Sequence, residues 1–93
     1  MLVGAAYLSD AGPVEPTARF EQALGHVIRR LRQDAGRSQE DVAAAVGLST
    51  YYVRELELGR RNPSLSVLRR LAETLGVRLH ELIEEAETAS RSA

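Results

Sequence analysis

Four side chains between residues 50 and 55 carry groups well suited to contact another molecule: Thr50, Tyr51, Arg54 and Glu55. An arginine can donate two hydrogen bonds to guanine O6 and N7, and a glutamate can accept one from cytosine N4. A threonine methyl or a tyrosine ring can contact the methyl group of thymine. The same residues could also be solvated surface side chains, with Arg54 on a phosphate. The choice depends on whether the surrounding sequence holds them on one exposed face.

Other kinds of chemistry lack the residues they need. The chain has no cysteine, which excludes disulfides, thiolate metal ligands and a cysteine nucleophile. His26 and His80 have no H-x-x-x-H or C-x-x-C partner, so we interpret them as packing or surface residues. The sequence therefore predicts no catalysis, no bound metal and no cofactor.

The apolar spacing predicts five helices and no strand, which is an all-α fold. Helix one carries an amphipathic stripe and stops at Gly36; the stripe is Phe20, Leu24, Val27, Ile28 and Leu31. Three serines are placed to cap helices two, three and four, namely Ser38, Ser49 and Ser64. Three glycines are placed to end those helices, namely Gly47, Gly59 and Gly76. A fifth helix follows from Leu79, although Arg78 is a poor capping residue.

Helices two and three are short and meet across a turn at Gly47, with the small Ala43 where they touch. If Val53 and Leu56 face the core, the step of about 100° per residue turns Tyr51 and Glu55 outward. Thr50 and Arg54 then flank this outward face. The sequence thus places all four candidate residues on one exposed helix.

Residues Gln39 to Leu58 resemble the helix-turn-helix of the lambda-repressor-like, Xre-type family of transcriptional regulators. The flanks agree, because Glu57-x-Gly59 ends helix three and Asn62-Pro63-Ser64 leads to Leu75-Gly76-Val77. The likeness extends from helix one to Ile83. It implies a compact five-helix DNA-binding domain and a regulator that binds double-stranded DNA of defined sequence.

The resemblance also implies roles for individual residues. The base readers would be Thr50, Tyr51, Arg54 and Glu55, since the N-terminal part of helix three enters the major groove. The phosphate contacts would be Gln39, Arg60, Arg61 and Asn62. A capping glutamine and a solvated loop remain the alternatives for these four. Arg32 and Glu57 would form a structural ion pair.

The charge of the chain leaves a second function open. The formal net charge is -1, whereas DNA-binding domains are usually basic. Residues 19 to 61 nevertheless hold eight arginines against six acids. The alternative to a DNA-binding regulator is a protein–protein interaction module of the same fold, and binding to duplex DNA at low salt separates the two.

We expect three segments: an N-terminal arm (1–18), the DNA-binding domain (19–88) and a fraying tail (89–93). Because one recognition helix reads few base pairs, we predict a homodimer on a palindromic operator. The predicted interface lies on helix five and comprises Leu79, Leu82, Ile83 and Ala86, with the apolar residues Leu2 to Leu8 as a possible addition. No targeting signal or membrane span is apparent, so we expect a cytoplasmic, nucleoid-associated protein of bacterial or phage type.

Overall fold

The computed structural model describes residues 16–92, and these residues form five α-helices and no strand. The helices are α1 (Pro16–Asp34), α2 (Gln39–Val46), α3 (Thr50–Glu57), α4 (Leu65–Leu75) and α5 (Leu79–Ser92). The all-α, five-helix architecture predicted from the sequence is confirmed.

One hydrophobic core joins the five helices, and each helix contributes apolar side chains to it. The buried members are Leu24, Val27, Ile28, Val42, Ala43, Val46, Val53, Leu56, Leu68, Leu71, Ala72, Leu75, Leu82 and Ala86. Burying a large apolar side chain stabilises the folded state by roughly 1.5–3 kcal/mol relative to leaving it exposed. With no disulfide among these residues, this packing holds the short helices α2 and α3 in place.

The long helices α1 and α5 form the most extensive helix pair in the described part of the chain. Helix α5 extends past Thr88 to Ser92, and within it Ala86 is buried and Ala89 packs against the core. Its start is stabilised by Glu81, whose carboxylate accepts a hydrogen bond from the backbone N–H of Arg78 at 2.9 Å. Helix α1 begins at Pro16, inside the segment predicted as an arm. The rest of that segment, including Leu2 to Leu8, lies outside the described residues.

The predicted dimer interface on α5 needs correction. Leu82 and Ala86 are fully buried within a single chain, because α5 packs against α1 and α4 of its own protomer. They therefore have no surface to offer a second chain. Leu79 and Ile83 pack against the same core but remain partly exposed.

Gly25 sets how closely α1 approaches the end of α3. A Cβ at this position would lie 2.6 Å from the carbonyl oxygens of both Leu56 and Glu57. Those are backbone atoms, so they cannot move aside without shifting α3. Only glycine permits this crossing, which fixes the position of α3 relative to the rest of the core.

Candidate nucleic-acid interface

The turn between α2 and α3 is built from local caps. Ser38 begins α2 with a capping box, in which its hydroxyl accepts from the backbone N–H of Asp41 and the Asp41 carboxylate accepts from the backbone N–H of Ser38. Hydrogen bonds from the Ser38 backbone and side chain lower the pKa of Asp41. Gly47 ends α2 in the left-handed conformation (φ 74°), and the Ser49 hydroxyl accepts from Tyr52 N–H to begin α3. These are the caps predicted from the sequence.

Helix α3 presents one face to the core and one to solvent. Val53 and Leu56 are buried, with 0% and 1% of their surface exposed. On the other side Tyr51 is 56% exposed and Arg54 is exposed, while Thr50 in the first turn is partly exposed. Three of the four predicted base readers therefore have surface available on one helix.

Glu55 is placed differently from the sequence prediction. Its side chain is only 13% exposed, and its carboxylate Oε2 accepts a hydrogen bond from Nη1 of Arg60 at 3.2 Å. The backbone N–H of Arg60 also donates to the Glu55 carbonyl at 2.9 Å. The carboxylate expected to meet cytosine is instead engaged with the loop that follows α3.

Arg61 and Asn62, next in the same loop, are exposed. The guanidinium carbon of Arg61 lies 5.5 Å from the ring centroid of Tyr52 and 6.0 Å from that of Tyr51. Arg60 and Arg61, predicted as equivalent phosphate contacts, thus have different partners on α3. Arg60 is hydrogen-bonded to the Glu55 carboxylate, and Arg61 lies over the rings of Tyr51 and Tyr52.

The predicted pair of Arg32 and Glu57 lies behind α3. Arg32 Nε donates to Glu57 Oε2 at 2.6 Å and Nη2 donates to Oε1 at 3.0 Å. The two side chains are 11% and 4% exposed. The hydrogen bond with Glu57 raises the pKa of Arg32, against an opposing effect of burial. Arg32 Nη1 also donates to the Arg37 carbonyl at 2.9 Å, so this pair ties α1, α3 and the entry to α2 together.

Gln39 joins this buried pair. Its side-chain amide donates to Glu57 Oε1 at 3.0 Å, while its backbone opens α2. One amide proton is therefore engaged inside the protein, and Gln39 is partly exposed at the N-terminus of α2.

Comparison with known proteins agrees with this geometry. Residues 28–82 match the family model described as Helix-turn-helix, which spans more than half of the chain. This chain belongs to the helix-turn-helix family. The match covers the end of α1, the α2–turn–α3 unit, α4 and the start of α5.

Individual helix-turn-helix proteins show how far the likeness extends. HTH-type transcriptional regulator DdrOP3 of Deinococcus deserti is 45% identical over 60 residues, which are 64% of this chain and 46% of that protein. The chain thus spans about half the length of that regulator. The clp gene regulator ClgR of Corynebacterium glutamicum superposes with a TM-score of 0.75 at 30% identity, over 77% of each chain. The restriction-modification controller protein C.AhdI of Aeromonas hydrophila gives 0.63 at 39% identity, over 66% of this chain and 92% of that one.

The matched family is described as Helix-turn-helix, and the three named relatives are a transcriptional regulator, a gene regulator and a controller protein, which agrees with the resemblance found in the sequence. Within residues 16–92 no group of three or more His, Asp or Glu side chains could hold a metal ion. In the same part of the chain, no helix combines the length and the apolar character needed to cross a bilayer.

Sequence reasoning missed one residue that positions this helix-turn-helix. Arg70 on α4 donates from Nη1 to the Val46 carbonyl at 2.7 Å, at the C-terminal end of α2, and from Nη2 to Ser66 Oγ at 3.3 Å. A cation at this end of a helix satisfies a free carbonyl and opposes the partial negative charge there. Only the folded chain shows which helix end Arg70 reaches.

Gly25 was also missed, but it carried a signal. A glycine inside an amphipathic helix costs about 1 kcal/mol relative to alanine, so its presence indicates a packing reason. The contact with the end of α3 supplies that reason.

Proposed function

We propose that this helix-turn-helix protein binds double-stranded DNA of defined sequence through α3 and regulates transcription there, as a homodimer on a palindromic operator. One observation carries the proposal: α3 is anchored by fully buried Val53 and Leu56 while Tyr51 and Arg54 project from its opposite face. A rigid helix with exposed hydrogen-bonding and aromatic side chains is what readout of the major groove requires.

The base readers in this proposal are Thr50, Tyr51 and Arg54. The N-terminal part of a recognition helix reaches deepest into the groove, which favours Thr50 and Tyr51, and Arg54 follows one turn later. Arg54 has no carboxylate within 4 Å among the residues that the structure describes. Its donors are therefore available to guanine O6 and N7. Glu55 acts instead by positioning Arg60.

Backbone phosphates are contacted from both sides of α3 in this arrangement. Gln39 lies at the N-terminus of α2, where free N–H groups and the helix dipole favour an anion. Arg60 and Asn62 lie in the loop after α3. Such contacts set the register of the protein on the duplex and carry no base information.

Selection of bound duplexes from a random pool, followed by fluorescence anisotropy, tests the proposal. The selected site should bind more tightly than a scrambled one, and the logarithm of the affinity should fall with that of the salt concentration by about 0.9 per neutralised phosphate. Equal, salt-insensitive affinities would contradict it. Absence of binding to any duplex at low salt would favour the interaction module instead.

A variant pair tests the proposed role of Arg54. Arg54→Ala should cost about 1–3 kcal/mol on the selected site and relax the preference at one base pair. Arg91→Ala is the matched control, because Arg91 is exposed near the end of α5 and its loss changes the net charge equally. If Arg54→Ala weakens every sequence by the same factor, Arg54 contacts a phosphate and reads no base.

The homodimer in this proposal uses the exposed parts of Leu79 and Ile83 on α5. A two-fold axis would place two α3 helices about 34 Å apart, one helical turn of DNA. Sedimentation at micromolar concentration should show a dimer for the wild type and a monomer for Ile83→Asp. Leu65→Asp is the control, since Leu65 is 69% exposed on α4 and should leave the dimer intact. A wild-type protein that stays monomeric both free and on its operator would contradict the proposed homodimer.

Phage-type repressors, restriction-modification controllers and antitoxin-like regulators are the three candidate subtypes. All three would act on DNA in the bacterial cytoplasm. Fusing the selected site to a reporter promoter, with and without the protein, measures whether bound genes are repressed or activated.

A further inference from the structure

The side chain of Arg61 lies against the recognition helix. It comes from the loop after α3, yet its guanidinium lies over the rings of Tyr51 and Tyr52 in the first turn of that helix, 6.0 and 5.5 Å from their centroids. Tyr51 is 56% exposed and Tyr52 packs partly against the core. The loop therefore folds back, so that Arg61 shares the outward surface of the N-terminal half of α3.

Arg60 and Arg61 differ in the groups that their guanidinium cations contact. Arg60 bonds Glu55, a carboxylate that offsets its charge. Over residues 16–92, Arg61 has no carboxylate within 4 Å and its guanidinium donates no hydrogen bond to the protein. Aromatic rings attract a cation through their faces without consuming its N–H groups. Arg61 thus keeps its charge and its donors.

We propose that Arg61 reads a guanine in the major groove, as a second base-reading arginine beside Tyr51. The inference rests on the proposed DNA-binding function and changes one assignment within it, since the sequence alone suggested a phosphate contact for Arg61. A guanidinium held over two rings is restrained before binding, so its planar pair of donors is already oriented. Guanine O6 and N7 form a pair of acceptors whose spacing matches these two N–H donors.

The position of Arg61 favours a base over a phosphate. Tyr51 lies in the first turn of α3, the part of a recognition helix that contacts base edges. A side chain packed over the Tyr51 ring lies beside those edges. Arg60 is held one turn further along α3 by Glu55, towards the end of the helix that leaves the groove.

Arg61→Met separates the two roles. Methionine removes every donor, so losing a guanine contact abolishes the preference at one base pair, whereas losing a phosphate contact weakens all sequences alike and lowers the salt slope by about one. Arg60→Met is the matched control in the same loop. The assay measures affinity for the selected site and for all its single-base variants, with the salt dependence and the melting temperature of each protein.

The expected result for Arg61→Met is a loss of about 5- to 140-fold on the selected site. One guanine position should become indifferent to base identity, with an unchanged salt slope and an unchanged melting temperature. Arg60→Met should weaken all sequences alike and keep the base preferences of the wild type. The inference is overturned if Arg61→Met binds like the wild type, or if it weakens all sequences equally. A wild type that does not distinguish selected from scrambled DNA overturns the proposed function itself.

Discussion

Replacing Arg32 by methionine should lower the free energy of unfolding by about 3 kcal/mol. Glu57 is 4% exposed on its side chain and accepts two hydrogen bonds from Arg32, at 2.6 and 3.0 Å, and one from Gln39 at 3.0 Å. Breaking a buried ion pair costs roughly 3–5 kcal/mol, because the remaining charge loses its counter-charge. We place this case at the lower end because Gln39 still donates to the carboxylate. Methionine fills most of the arginine stem, so the loss reports the missing charge and hydrogen bonds rather than a cavity.

Thermal unfolding monitored by circular dichroism measures this effect. A loss of about 3 kcal/mol corresponds to a melting temperature about 12–24 °C lower for a domain of this size. Arg32→Lys should fall between the wild type and Arg32→Met, because an ammonium retains the charge but not the two parallel bonds. Adding Glu57→Gln to Arg32→Met should recover part of the loss, since the uncompensated charge is removed. An unchanged melting temperature for Arg32→Met would refute the inferred burial of Glu57, and with it the orientation of α3.

Three further predictions address the elements that hold α3. Gly25→Ala should destabilise the protein by more than about 3 kcal/mol, since its Cβ would lie 2.6 Å from two backbone oxygens of α3. Chemical denaturation measures the free energy of unfolding, and a variant as stable as the wild type would mean that α1 and α3 are less tightly packed than this distance indicates. Arg70→Met should cost roughly 1–2 kcal/mol by leaving the Val46 carbonyl without its donor, and Arg69→Met, an exposed neighbour, should cost little in the same denaturant titration. The pKa of Asp41 is lowered by its bonds to Ser38, so its stabilising contribution is present above the unfolded value of 3.8 and is lost as the pH falls through the lower folded value. Asp41→Asn should therefore unfold with a weaker dependence on pH in that acidic range, and identical acid titrations of the two proteins would count against the capping box.

The parts of the fold that could be predicted rest on local signals. A serine before a helix bonds an N–H only three residues away, and a glycine after a helix adopts a left-handed conformation by itself. Ser38, Ser49 and Gly47 therefore occupy the roles expected of them. Helical periodicity likewise identified Val53 and Leu56 as inward-facing residues.

The candidate site was predictable only in part, because the path of the loop after α3 decides which groups contact two of its side chains. Glu55 was expected on the exposed face of α3, but the path of the loop brings Arg60 onto its carboxylate and leaves the side chain only 13% exposed. Arg61 was expected on a phosphate, and the same loop places it over two tyrosine rings. Residue spacing in the sequence predicts neither contact, since no regular backbone geometry links a helix to the loop that follows it.

By itself, the sequence determined which residues form the helices of the core, where α2, α3 and α4 begin and end, and which apolar residues share a face. These properties depend on interactions within a few residues, so the local order of the residues encodes them directly. Tertiary structure alone decided which neighbour covers each face. The stripe on α5 was predicted to meet a second chain, but α1 and α4 bury Leu82 and Ala86 and leave only Leu79 and Ile83 partly exposed. Periodicity shows that an apolar face must be covered, whereas the covering element depends on the packing of all five helices at once.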